Sequence, residues 1–257
     1  MTAKLGLTLI LGAILAAGSL GLLSLLGPDW SQFVPATCLA THCFCETPRT
    51  GDLVLQPANS WSSFGFVLIG IYIALAARTD RMTSAFGGIA GIWFGLTAII
   101  IGVGSFLLHA TLTLWGQFFD VLGMYLTSAF LIAYAVRRWR GWSDERATLA
   151  YFVLCAVLIG FLIAIPETRR WLFAVVLIGA IILELGFARQ KRLSVQPRWF
   201  VYGILLQATA FAIWILDLTG ILCNGGSLFQ GHAVWHLLNA AALFCNYLYY
   251  RSERATS

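Results

Sequence analysis

The chain has 257 residues, of which 60% are apolar and only 11% charged, and its mean hydropathy is +0.84. A water-soluble domain carries about 25% charged residues, so this composition excludes one and fits an integral membrane protein. The formal net charge of +5 has no basic, aromatic-interleaved patch behind it. It reads as topology information rather than as a nucleic-acid footprint, and no nucleic-acid partner is expected.

Lys4 precedes an uncharged run over 5–26, long enough to span a bilayer at about 20 residues. It is longer than a usual signal-peptide core, which favours a retained transmembrane helix or uncleaved signal anchor over a cleaved leader. Residues 27–58 form the longest polar stretch and hold Cys38, Cys43 and Cys45 together with Trp30, Glu46 and four prolines. They read as an ordered, Cys-rich extracytoplasmic segment. Apolar runs then follow at about 59–77, 86–109, 115–136, 147–165, 171–187, 199–218 and 232–250. No alternating barrel pattern is present, so the expected class is an all-α membrane protein with eight spans. The expected divisions are 1–26, 27–58, 59–250 and a tail at 251–257.

Eight spans sort the basic residues unevenly. Lys4, Arg78, Arg81, Arg137, Arg138, Arg140, Arg146, Arg189, Lys191, Arg192, Arg198, Arg251 and Arg254 fall on one side, and Arg49, Arg169 and Arg170 on the other. The positive-inside rule makes the first side cytoplasmic. Both termini are then expected in the cytoplasm of an inner or plasma membrane protein. Cys38, Cys43, Cys45 and Cys223 fall on the outer, oxidising side, where four cysteines can form two disulfides. His42 beside them would also allow a structural metal site, the less favoured reading. Cys155 and Cys245 lie within spans, as buried thiols.

The same map gathers the chemistry at the outer end of the bundle. Ser105 and His109 are four residues apart and share one helix face. Asp120 follows His109 by eleven residues, across a short turn. His232 and His236 repeat the i,i+4 spacing in G-H-A-V-W-H at 231–236. Three imidazoles that leave one position open make a catalytic zinc pattern. A haem reading with His232 or His236 as axial ligand leaves Ser105 and Asp120 unexplained. An acid inside a membrane is costly and marks function, and Asp120 is expected to orient and deprotonate the attacking water. Ser105 would donate to a developing oxyanion. Gly102 and Gly104 would let helices approach closely. Asp217, near the outer end of span seven, could support a ligating histidine from behind or be merely a helix-end acid.

S-x-x-x-H with an Asp eleven residues on, followed by G-H-A-x-W-H, resembles the alkaline ceramidases. These belong to a superfamily of seven-helix membrane hydrolases that also holds the adiponectin-type receptors. C-E at 45–46, N-S-W-S-S at 59–63 and L-D with a later Cys at 216–223 match in order as well. The resemblance covers about 45–250 and implies a seven-helix core plus one extra N-terminal helix, the latter similar to prokaryotic members. It implies zinc on His109, His232 and His236, with Asp120 activating water and Ser105 stabilising the oxyanion. The implied reaction is hydrolysis of the amide of ceramide or a related N-acyl lipid to a sphingoid base or amine and a fatty acid. It also implies a disulfide Cys45–Cys223, leaving Cys38–Cys43 as the second pair. The eukaryotic family holds calcium beside its N-terminal segment. Here only Glu46 matches clearly, while Cys43, Phe44, Pro48 and Gln56 occupy other aligned positions, which speaks against calcium. Two other readings use the same residues: a non-catalytic receptor or sensor with a structural zinc, and an intramembrane protease with a Ser–His dyad. Against the protease, Ser105 and His109 share one helix and two histidines are left over.

Overall fold

The computed structural model describes residues 2–41, 44–191 and 194–254. Among them the secondary structure is helical, with two isolated bridges, Pro35 with Thr113 and Ser84 with Arg254, and no extended strand. The expected eight spans correspond to α1 (Thr2–Leu26), α2 (Pro57–Ser62) running into α3 (Phe64–Asp80), α4 (Ile89–Thr111), α5 (Leu114–Arg140), α6 (Asp144–Ala164), α7 (Arg169–Leu183), α8 (Pro197–Leu218) and α9 (Gly231–Arg251). Seven of these spans are long and apolar enough to cross a membrane on composition alone. The eighth, α9, has the length at 21 residues. Its apolarity is diluted by His232, His236, Asn239 and Asn246, and most of these polar side chains turn into the bundle.

Position in the bundle follows from side-chain size. α4 is the central helix, packed on α3 along one side and α5 along another. Two-thirds of its most apolar stretch is buried (67%), against 17% for the peripheral α1, α6 and α8. Its glycines make this possible. A Cβ on Gly102 would lie 2.8 Å from the carbonyl of Ser63, the residue that leads into α3, and one on Gly104 would lie 2.3 Å from the Phe119 carbonyl of α5. Close contacts of this kind hold helices together where the surroundings are as apolar as the side chains. α9 packs between α8 and α3, while α6 and α7 lean on α5. The additional helix α1 lies outside the core against α3, tethered by Lys4 Nζ donating to Thr79 Oγ1.

The segment before α2 is ordered and serves α4. An α-helix leaves its last carbonyls without partners, and this chain supplies them. Leu55 N donates to Ala110 O, Gln56 N to His109 O, and Ala36 N to Leu112 O, at 2.9–3.1 Å. α4 itself stops at Leu112, which takes a left-handed conformation (φ 52°), uncommon outside glycine. Thr113 then caps α5, its hydroxyl accepting from Gly116 N. This tight reversal sets α5 beside α4 with Asp120 next to Ser105.

The opposite end of the bundle is held by aromatic rings and buried charge. Phe86, Phe94, Tyr134 and Tyr250 stack edge-on around the start of α4. Arg138 lies between Glu184 and Glu253, at 2.6 and 2.8 Å. Span six was expected to run as one helix to 187, but α7 gives way at Glu184 to a single π-helical turn, Glu184–Ala188. That turn presents the Glu184 carboxylate inward to Arg138 and to the Tyr249 hydroxyl. Local π-turns commonly serve to aim a side chain in this way.

Candidate metal centre

The last turn of α4 and the first two turns of α9 meet at the end of the bundle capped by the 27–56 segment. There His109, His232 and His236 are all buried, and one nitrogen of each lies within 4.8 Å of the others. The ring centroids are 4.9 Å (109–232), 5.1 Å (109–236) and 4.5 Å (232–236) apart. Among the described residues this is the cluster of His, Cys, Asp or Glu with ligand geometry.

Neighbouring groups fix which nitrogen faces the centre. Gln56 Nε2 donates to the Glu46 carbonyl at 2.6 Å, so Gln56 Oε1 is turned towards His109. His109 Nδ1–H donates to that oxygen at 2.9 Å, which leaves the Nε2 lone pair for the centre. His236 Nδ1 faces the Ser62 hydroxyl at 2.8 Å, and its Nε2 lies 3.2 Å from Ser105 Oγ. His232 Nδ1 is buried with no hydrogen-bond partner among the described residues. The ring is stacked on Trp235 (10° between planes) and packed against Phe44. A buried imidazole nitrogen without a partner, in a cluster of three imidazoles with no countercharge among them, is costly as it stands. A cation would offset that cost, and a donor set of three nitrogens suits zinc and other borderline metals.

Ser105 and Asp120 lie beside this cluster. The Ser105 hydroxyl lies within hydrogen-bonding reach of His236, and Ser105 and Asp120 line the same small cavity. Asp120 is half-buried and lines a cavity of about 70 Å³ with Ser105, Trp235, Gln207, Asn239 and Asn246. The buried Arg169, at the start of α7, adds a positive field towards Asp120.

Asp217 acts differently from the expected support of a histidine ring. Its carboxylate accepts from the backbone N–H of His232 at 3.2 Å and of Cys45 at 3.3 Å. It thus caps the start of α9 from a neighbouring helix, where the dipole favours an anion. A Cβ on Gly231 would come within 3.0 Å of Asp217 Oδ1, so glycine there lets the carboxylate reach the backbone. Glu46 has a parallel role. Its two oxygens accept from Ala58 N and Asn59 N at 2.8 Å each, anchoring the start of α2. Burial pushes the Glu46 carboxyl above its ordinary value, against the pull of those two amides and of Arg49.

Cys45 is bonded to Cys223, which ties the Phe44–Glu46 strip to the α8–α9 loop over the histidines. The expected Cys38–Cys43 pair and the Cys-rich alternative with His42 involve residues outside those described. Cys155 is a buried free thiol, and Cys245 is free and half-buried. In the sequence, Ser62 stands out only within N-S-W-S-S, Phe44 and Gln56 only among the aligned calcium positions, and Arg169 only in the charge count; none was singled out as part of this site.

A helical bundle able to cross a membrane, with three buried imidazoles converging at one end, defines a class: membrane proteins with a histidine cluster inside the bundle that could hold a metal ion. Comparison of the whole sequence narrows this. The family model described as Ceramidase matches residues 40–257. An alkaline ceramidase of Drosophila melanogaster is 25% identical over 255 residues, covering 92% of this chain and 86% of that protein. A putative alkaline ceramidase of Dictyostelium discoideum is 25% identical over 220 residues, covering 72% and 76%. The chain belongs to the ceramidase family.

Proposed function

We propose that the protein is a zinc-dependent amidohydrolase that cleaves ceramide or a closely related N-acyl lipid to a sphingoid base or amine and a fatty acid. The observation that carries this is the buried trio His109, His232 and His236, with Asp120 and Ser105 within reach of the same space. Family membership supplies the substrate class. Zinc bound by the three imidazoles would polarise the amide carbonyl and make water acidic enough to lose its proton near neutral pH.

The protein's own groups do the rest. Gln56 and Ser62 hold two of the imidazoles in one tautomer and orientation, as partners behind metal ligands commonly do. Asp120 takes the proton from the attacking water and returns it to the departing nitrogen, a general base turned general acid. The Ser105 hydroxyl, one helical turn from His109, donates to the oxygen that gains charge as the carbonyl becomes tetrahedral. Cleavage of the C–N bond then leaves a carboxylic acid and a free amine. The cavity beside Asp120 is about 70 Å³, far below the roughly 300–1,000 Å³ of a pocket that encloses a drug-sized ligand. α7 and α8 both line it through Leu177 and Gln207 but scarcely pack on each other. The lipid tails therefore lie between these helices while the amide meets the site.

The topology we assign is an inner or plasma membrane protein with both termini in the cytoplasm and the site towards the extracytoplasmic leaflet. The unequal division of Lys and Arg between the two ends supports it. The test is to incubate purified protein with short- and long-chain ceramides. Fatty-acid release should stop with a chelator and return with zinc. Metal-loaded protein that releases fatty acid from no N-acyl lipid would overturn the reading.

A further inference from the structure

A cavity of about 850 Å³ lies far from the histidines. It opens between the start of α4, the end of α5 and the start of α6, beneath the turn that joins α3 to α4. Trp93 and His109 are sixteen residues apart on α4, which at 1.5 Å per residue separates cavity and metal centre by roughly 24 Å. The cleft exists because α4 and α6 each pack on α5 but scarcely on each other. Trp93 and Phe152 meet edge-on at 6.5 Å across it.

The lining combines two chemistries. Ile89, Trp93, Phe130 and Phe152 form an apolar wall, and Ile89 and Phe152 also face outward, exposed by 75% and 52%. At the polar rim stand Arg78, Arg81 and Arg137 against one acid, Asp144. Arg137 pairs with Asp144 at 2.6 Å, yet its Nε is buried with no hydrogen-bond partner among the described residues. Arg78 and Arg81 are exposed and form no ion pair among the described residues. Elsewhere at this end the charges are matched: Asp80 takes Arg251, and Glu184 and Glu253 take Arg138. The cavity rim therefore keeps a surplus of guanidinium donors in a fork that suits phosphate oxygens.

We propose that this cleft binds an anionic phospholipid, its phosphate held by Arg78, Arg81 and Arg137 and an acyl chain laid along Trp93 and Phe152. A basic pocket between membrane helices at the bilayer boundary is a recognised form of headgroup site. The apolar wall selects a lipid over a soluble phosphate compound, because a headgroup alone would leave most of the cavity in contact with nothing it prefers.

The full-length protein in detergent, given equal amounts of phosphatidylglycerol and phosphatidylcholine, should retain the anionic lipid preferentially in native mass spectra. Arg78→Gln with Arg81→Gln should lower that preference by roughly tenfold or more, given the attraction of about 1 kcal/mol per basic residue near a membrane surface. Both side chains are exposed, so the double variant should melt with the parent and any loss reads binding rather than folding. Equal retention of the two lipids, or a preference that survives the double substitution, would overturn the proposal. So would displacement of phosphatidylglycerol by an equal concentration of glycerol 3-phosphate, which would make the occupant a soluble phosphate.

Discussion

The two ends of this bundle both bury polar side chains, and they do so in opposite ways. At the end near α4's start, burial is accompanied by countercharge. Arg138, with its side chain 1% exposed, has two carboxylates within 2.8 Å, and Asp80 has Arg251 and the Tyr247 hydroxyl. At the other end the three imidazoles face one another with no anion among them, and Asp120 stands without a salt-bridge partner within 4 Å among the described residues. A buried charge is costly to leave without its partner, so these pairs hold together. The imidazoles have no countercharge and could hold a cation. Burial alone therefore does not distinguish the two ends; the presence or absence of countercharge does.

Substitutions can test that contrast. The largest effect should come from Asp120→Asn, which keeps size and loses the base. Turnover should fall by about 10²–10⁴-fold, while metal content, read by elemental analysis, stays at the parent value. A variant that hydrolyses ceramide at the parent rate would remove Asp120 from the chemistry. Arg138→Met should show the reverse signature. Leaving Glu184 buried without the Arg138 guanidinium should cost about 3–5 kcal/mol of stability, seen as a lower melting temperature, with activity per folded molecule unchanged. Equal melting of parent and variant would mean that the two ends are not divided as described. Gln56→Leu should have the smallest effect, since it removes only the acceptor that orients His109. Metal affinity should weaken by about 10–100-fold in competition with a chelator, with turnover restored at saturating metal.

How much of this could be read in the residues depends on whether a helix carried the information. The i,i+4 spacings of Ser105 with His109 and of His232 with His236 survive folding unchanged, because a helix fixes which side chains share a face. The eleven-residue step brings Asp120 to the cavity that Ser105 lines because only Leu112 and Thr113 separate α4 from α5. The contacts of Gln56 and Ser62 with the histidines were not legible for the complementary reason. They arrive from an irregular segment and from a helix interrupted at Ser63, where no periodicity says which way a side chain turns. Asp217 was seen but left open between support of a histidine and a helix-end acid, since sequence cannot distinguish a carboxylate aimed at a ring from one aimed at the backbone beside it. The π-turn at Glu184 was likewise hidden, because all-round apolarity leaves no phase from which to read a change in pitch.

The weak apolarity of α9 has a consequence for how the protein is made. A segment this polar gains little from oil, so its place in the bilayer must be secured by helices already waiting there, chiefly α3 and α8. It also brings two of the three imidazoles. During synthesis the nascent bundle therefore carries a single histidine at the future centre, and the capacity to capture an ion arises in one step, when the final hairpin docks.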